Sequence, residues 1–308
     1  MGLIKKYYTK LFLHRYDKDE AIPYYDVSDF YNLHKEDYSF VNTKGIEIKY
    51  FYYYYENYVD NKVILFCPGM GPGHTAYLAE INALCKAGYK VLTLDYSGCG
   101  ESAGKTMYSV NAPTRDVNDL LNHLKLKEEI IPVGHSLGGY TALNIINIRK
   151  EISRAVVISG FLSIVNLSRG LTNSRFISRR IEKCEQKLDG EYFAIDNIIF
   201  LTNTTDKILF IQSEDDGVVN YKYALGVVTK INNPNIECVS MTNKGHNPTY
   251  TFAALKYMNE TFSEYNKLLK NKKQNTLENR KKFMSDKSIQ KMTEIDQEVM
   301  DKITNFCK

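Results

Sequence analysis

The stretch Gly134-His135-Ser136-Leu137-Gly138-Gly139 places a serine between glycines, after the apolar run Ile130–Val133 and before the helix-like Leu137–Ile148. A strand that turns abruptly into a helix would lift the Ser136 hydroxyl clear of its surroundings. The flanking glycines would leave room for the turn, and the helix N-terminus would favour developing negative charge. A serine hydroxyl is a weak nucleophile and needs a base. Of six histidines, His14, His34, His74, His123, His135 and His246, the last lies in a loop between the final strand-like and helix-like segments. His123 falls within a helix pattern, and His135 adjoins the serine but points off the turn. An acid is offered by Glu214, Asp215 and Asp216, just past the apolar run Lys207–Ile211. A carboxylate there would orient the imidazole and stabilise its protonated form. Each piece has a plainer reading (a glycine turn, a surface histidine, a solvated acidic turn). Their shared position after strands favours a joint site.

The elements that must carry these residues follow a regular rhythm. Tyr38–Asn42 and Ile46–Tyr55 flank Thr43-Lys44-Gly45 and predict a hairpin. Strands are expected at Lys62–Cys67, Lys90–Leu94, Ile130–Val133, Ala155–Ile158, Lys207–Ile211 and Ile236–Met241. Helices are expected at Ala76–Ala87, Val117–Leu126, Leu137–Ile148, near Tyr221–Ile231, and at Thr249–Tyr265. Strands alternating with helices imply βαβ units and a mostly parallel sheet, an α/β fold with helices on both faces. Its ligands would gather at the carboxyl ends of the strands.

Cys67-Pro68-Gly69-Met70-Gly71-Pro72-Gly73-His74 follows an early strand. It could supply the Met70 amide to an oxyanion, beside the amide of Leu137 after the serine. With Asp95-Tyr96-Ser97-Gly98-Cys99-Gly100-Glu101-Ser102 and Ser213–Val219, these motifs resemble the α/β-hydrolase superfamily over about 38–265, in its esterase, lysophospholipase and serine-aminopeptidase-like branch. The resemblance implies a triad in the order Ser136, Asp216, His246. It selects Asp216 over Asp215, because the family acid falls three residues after a glycine position, here Ser213, and three before a valine, here Val219. It also makes the Asp95–Ser102 run a structural turn. Pro68 stands where the family often has histidine, Ser213 replaces the glycine, and Gly217 replaces a proline; none removes a triad atom.

The domain reading is an arm at 1–35, the hydrolase domain at 36–266 with a cap insertion at 161–206, and a charged linker with a C-terminal helix at 267–308. The insertion carries Arg169, Arg175, Arg179, Arg180, Lys183 and Lys187 beside apolar residues. It would suit an amphiphile with an anionic end, such as a lysophospholipid, unless the cations simply face water. Met292, Ile295, Val299, Ile303 and Phe306 form a stripe on the terminal helix, docked on the parent domain or presented to a partner.

A net charge of +4 from 40 basic and 36 acidic residues is too balanced for a nucleic-acid partner. No apolar run reaches the length of a membrane span. A surface helix at about 3–13, with Lys5, Lys6, Lys10 and Arg15, leaves a membrane-surface role open. Gly2 lacks the serine or threonine of a myristoylation signal at position 6, which is Lys6. The six cysteines show no zinc spacing, and without an export signal they imply reduced thiols and a cytoplasmic location. The expectation is a serine hydrolase acting on an ester-like bond of a small or acyl-lipid substrate, without metal or organic cofactor. Peptidase, thioesterase or acyltransferase chemistry uses the same triad, and a non-catalytic binding module is the alternative outside enzymes. Oligomeric state is not implied.

Overall fold

The structure, a computed structural model, describes residue 6, residues 8–10 and residues 12–308. Eight strands form one sheet: β1 His34–Val41, β2 Glu47–Tyr54, β3 Lys62–Cys67, β4 Lys90–Leu94, β5 Glu129–His135, β6 Arg154–Ile158, β7 Lys207–Ser213 and β8 Ile236–Met241. Their order is β1-β2-β4-β3-β5-β6-β7-β8, with the β1–β2 and β2–β4 pairings antiparallel and the remaining pairings parallel. The central strands are continuous apolar runs because helices cover both faces. Alternation along β3 sends Val63, Leu65 and Cys67 into one core with Leu143 and Ile145. Ile64 and Phe66 enter the other, with Ile81, Leu84 and Ile303.

Most expected elements lie within a few residues of these bounds, and Leu137–Ile148 is helical over that whole length. Two expectations need correction. The helix near Tyr221–Ile231 is reduced to a 3-10 turn at Tyr221–Tyr223 and one helical turn at Leu225–Val228. The break is at Ala224 (φ −124°, ψ −108°), where the Leu225 amide is drawn to Gln212 Oε1 at 3.1 Å. The terminal stripe is also split. Met292 ends a separate turn at Ile289–Met292, and Asp296 caps a new helix, Gln297–Cys307.

That last helix packs on the sheet through Val299, Met300, Ile303 and Cys307. Its final carbonyls accept from cations, Arg154 Nη1 to Phe306 at 2.8 Å and Lys62 Nζ to Cys307 at 3.2 Å, a favourable arrangement at a helix C-terminus. The N-terminal segment docks as well. Residues 6, 8–10 and 12 are helical, and Tyr8 and Leu13 are buried. The rest of the expected 3–13 helix, with Gly2 and Lys5, falls outside the described residues. Arg15 donates to the carbonyls of Ser102, Gly104 and Gly100, so it pins the turn after β4 instead of facing a membrane.

Residues 161–206, between β6 and β7, fold as helices Ile164–Thr172, Arg175–Leu188, Gly190–Phe193 and Asn197–Asn203. All six basic residues named above are exposed, while Ile164 and Ile181 pack inward on Leu137, Tyr140 and Phe161. Glu185 is one of the polar residues buried with them. It accepts from Tyr8 Oη at 2.6 Å and from the Val110 amide at 3.2 Å, and burial pushes its carboxyl up to about 7.

Two measurements follow. Ile303→Ala should lower unfolding free energy by about 2–5 kcal/mol in a denaturant titration, as for a buried core residue. Native Glu185 holds its proton more tightly than the unfolded chain, so its contribution is full below pH 4.5 and lost as pH rises through 7. The stability difference between Glu185→Gln and wild type should therefore shift in favour of the variant by roughly 1–3 kcal/mol between pH 5 and 7.5.

Candidate active site

The turn at Ser136 is strained. Its φ is +56° and ψ is −117°, and its amide donates to the Ile158 carbonyl of β6 at 2.8 Å. The neighbouring glycines are sterically required. A Cβ on Gly134 would lie 2.1 Å from the Gly138 carbonyl oxygen, and one on Gly138 would lie 1.8 Å from that of Cys67. The helix Leu137–Ile148 can therefore start directly against the end of β3, with its N-terminus at the serine.

The Pro68–Gly73 loop lies over this turn. A Cβ on Gly69 would stand 3.4 Å from Ser136 Cβ. Among the described residues, neither the Met70 nor the Leu137 amide donates to another group of the protein. The loop is anchored from below by His74 and Asp95, both buried. Asp95 Oδ1 accepts from the His74 amide at 2.7 Å and lies 2.8 Å from its ring Nδ1, while Oδ2 accepts from the Glu101 amide. Gly73 and Gly100 (φ +92° and +49°) come so close to that carboxylate that a side chain at either would overlap it. The Asp95–Ser102 turn thus supports the loop.

After β7, Asp216 turns inward. Oδ1 accepts from the amides of Val218 and Val219, each at 2.9 Å, and Oδ2 from Gln212 Nε2 at 3.1 Å. His246 Nδ1 lies 3.0 and 2.9 Å from the two oxygens. The carboxylate thus holds the ring so that Nδ1 donates and Nε2 is left to accept. Asp215 points out instead, bonding Ser213 Oγ and the Gly245 amide. Hydrogen bonding by Ser213, ahead of the local amides, holds its carboxyl below the usual range.

His135 closes the gap between the serine turn and the histidine loop. Its Nε2 is 2.8 Å from the His246 carbonyl oxygen, so that nitrogen carries the hydrogen, and Nδ1 then accepts from Tyr77 Oη at 3.0 Å. Burial, with the nearby His246 second, drives its pKa down to about 3, so it is neutral beside the His246 ring. The two imidazoles lie 4.8 Å apart, centre to centre. Among the described residues the Ser136 hydroxyl has no hydrogen-bond partner. The structure therefore joins Asp216 to His246 and brings that ring against the serine turn, without a direct Ser136–His246 bond. Such contacts are commonly long before substrate arrives.

The histidine loop is held from the far side as well. Buried Lys244 donates from Nζ to Asp296 Oδ2 at 2.5 Å and to the Tyr250 carbonyl at 2.6 Å. Sequence patterns carry no signal for Lys244, Asp296, Gln212 or the His135 bridge, because each is set by packing between distant segments.

Comparison with known proteins agrees with this architecture. Residues 60–191 match the family described as serine aminopeptidase, S33. An epoxide hydrolase of Caballeronia sordidicola is 31% identical over 110 residues, or 35% of this chain; the match spans only 32% of that relative's length. An esterase of Pyrococcus furiosus superposes with a TM-score of 0.58 at 19% identity, covering 83% of this chain and 97% of the other. Alpha/beta hydrolase domain-containing protein 10 from mouse gives 0.52 at 19% identity, covering 68% and 90%.

Asp296→Ala strands a buried ammonium beside the histidine loop. Because Asp296 is about a fifth exposed, the cost should be about 1–3 kcal/mol, below that of a fully buried pair. Thermal melts would show it, and an unchanged melting temperature would contradict the assigned contact.

Proposed function

We propose that this chain, which has the α/β-hydrolase fold and matches the serine aminopeptidase family over residues 60–191, is a serine hydrolase cleaving an ester-like acyl bond through an acyl-enzyme. The observation that carries the reading is the Asp216–His246 pair held against a strained Ser136 at the start of a helix. In the proposed reaction His246 Nε2 takes the Ser136 proton as Oγ bonds to the carbonyl carbon. The amides of Met70 and Leu137 receive the oxyanion. The carbon–oxygen bond to the alcohol then breaks, and the alcohol leaves with the proton from His246. Water, deprotonated by the same ring, adds to the acyl-enzyme and releases the acid with Ser136 restored.

Serine chemistry also separates this reading from the activity named for the epoxide hydrolase relative. Opening an epoxide with Ser136 would leave an ether, which water and an imidazole do not cleave, whereas an acyl-serine ester turns over. Thioester, amide and acyl-transfer reactions share the steps above; the ester reading is the parent case. The segment 161–206 is taken as a cap, because its apolar side covers Leu137 and Tyr140. Its six basic residues are exposed and are read as facing solvent, so no anionic end is required of the substrate. Among the described residues none of the six cysteines is in a disulfide, which supports a reducing, cytoplasmic setting, and no helix is long and apolar enough to cross a membrane.

A fluorophosphonate should label wild-type protein on Ser136, as read by peptide mass, and Ser136→Ala should take no label while keeping its melting temperature. Asp216→Asn should lower kcat on a p-nitrophenyl ester by about 10³-fold or more. Labelling that persists in Ser136→Ala would sink the assignment, and no labelling of a folded wild type would favour a binding module.

A further inference from the structure

Beside the oxyanion loop lies a cleft of about 250 Å³ that neither the cap nor the triad accounts for. Met70, Gly71 and Pro72 border it on one side, and Asn247, next to His246, borders it on another. Tyr77 joins the cleft to the site. Its hydroxyl bonds His135, and a Cβ on Gly69 would meet that hydroxyl at 2.3 Å. Much of the remaining wall comes from Met258 and Phe262 of the helix Phe252–Lys270, from Ile22 and Pro23 of the N-terminal segment, and from Ile289 and Met292 of the C-terminal segment. These elements share a small apolar cluster around Ala21, Tyr265, Met284 and Met292. Asp19 clamps them together, accepting from Tyr265 Oη at 2.7 Å and from Arg280 Nη1 at 2.9 Å.

We infer that this cleft holds the apolar acyl arm of a neutral ester substrate, and that the C-terminal segment sets the length of arm accepted. The inference rests on the serine-hydrolase reading above. Among the described residues no Lys, Arg, His, Asp or Glu lines the cleft, so a charged group there would be desolvated without a charged partner. The cleft opens beside the loop assigned to the carbonyl oxygen. The acyl carbon stays at that loop through both half-reactions, whereas the alcohol departs after the first. A cavity of about 150 Å³ takes a benzene ring, so this one has room for an arm of about six to ten carbons.

The test compares two ester series on the full chain: p-nitrophenyl esters of lengthening acyl chain, and acetate esters of lengthening alcohol. In wild type, kcat/KM should rise about fourfold per methylene along the acyl series until the cleft is full, and stay nearly flat along the alcohol series. Ile289→Trp and Met258→Trp should fill the cleft. Each should shorten the preferred acyl chain by two or more carbons and cut turnover of longer esters at least tenfold relative to that of p-nitrophenyl acetate. Thermal melts report whether the variants are folded. Unchanged chain-length profiles in both variants, or length dependence confined to the alcohol series, would overturn the acyl assignment while leaving the serine hydrolase standing. No turnover of any ester and no fluorophosphonate adduct in wild type would overturn both.

Discussion

A single steric constraint organises the molecule: the backbone at Ser136 must sit at positive φ between two carbonyl oxygens that tolerate no side chain on Gly134 or Gly138. Left-handed backbone at a non-glycine residue persists only where the surroundings over-determine it. Here those surroundings are the ends of β3, β5 and β6. The Ser136 amide is tied to Ile158, and the helix after it is pressed onto Cys67. The apolar strands are thus more than core. They hold a turn that an isolated peptide would not adopt.

Around that turn, two His–Asp pairs have different work. His74 and Asp95 are both buried, under a loop whose glycines close over the carboxylate; their part is architectural. His246 and Asp216 pair at the rim, with the acid buried and the ring partly exposed, so the ring is open to a ligand. Neutral His135 links the second pair to the strained turn without adding charge. The same loop is held from behind by Lys244 and Asp296, which makes the C-terminal segment part of the scaffold of the candidate site.

Much of the sheet is legible in the sequence. The runs Lys62–Cys67, Lys90–Leu94 and Ile236–Met241 are bounded by turn residues, and their apolar stretches correspond to β3, β4 and β8. Where a long-range bond competes with local pattern, the pattern misleads. Gln212 captures the Leu225 amide and cuts short the helix expected at Tyr221–Ile231. Asp296 serves as both N-cap and partner of Lys244, so one apolar stripe becomes two elements serving different clusters.

Sequence alone determined the α/β alternation, the glycine-flanked serine, and the loops that carry the acid and the histidine. These depend on side-chain period and on where glycine is needed, which are local properties. Among Glu214, Asp215 and Asp216, local chemistry offers no choice; family resemblance points to Asp216, and in the packed fold Asp216 is the one that meets His246. The turn after β7 sends Asp216 toward Gln212 and His246 and leaves Asp215 at the surface. The His135 bridge, the Lys244–Asp296 pair and the cleft under the terminal helices likewise belong to tertiary structure alone. Each joins residues far apart in the chain, and only the register and packing of the sheet bring them within a few ångströms.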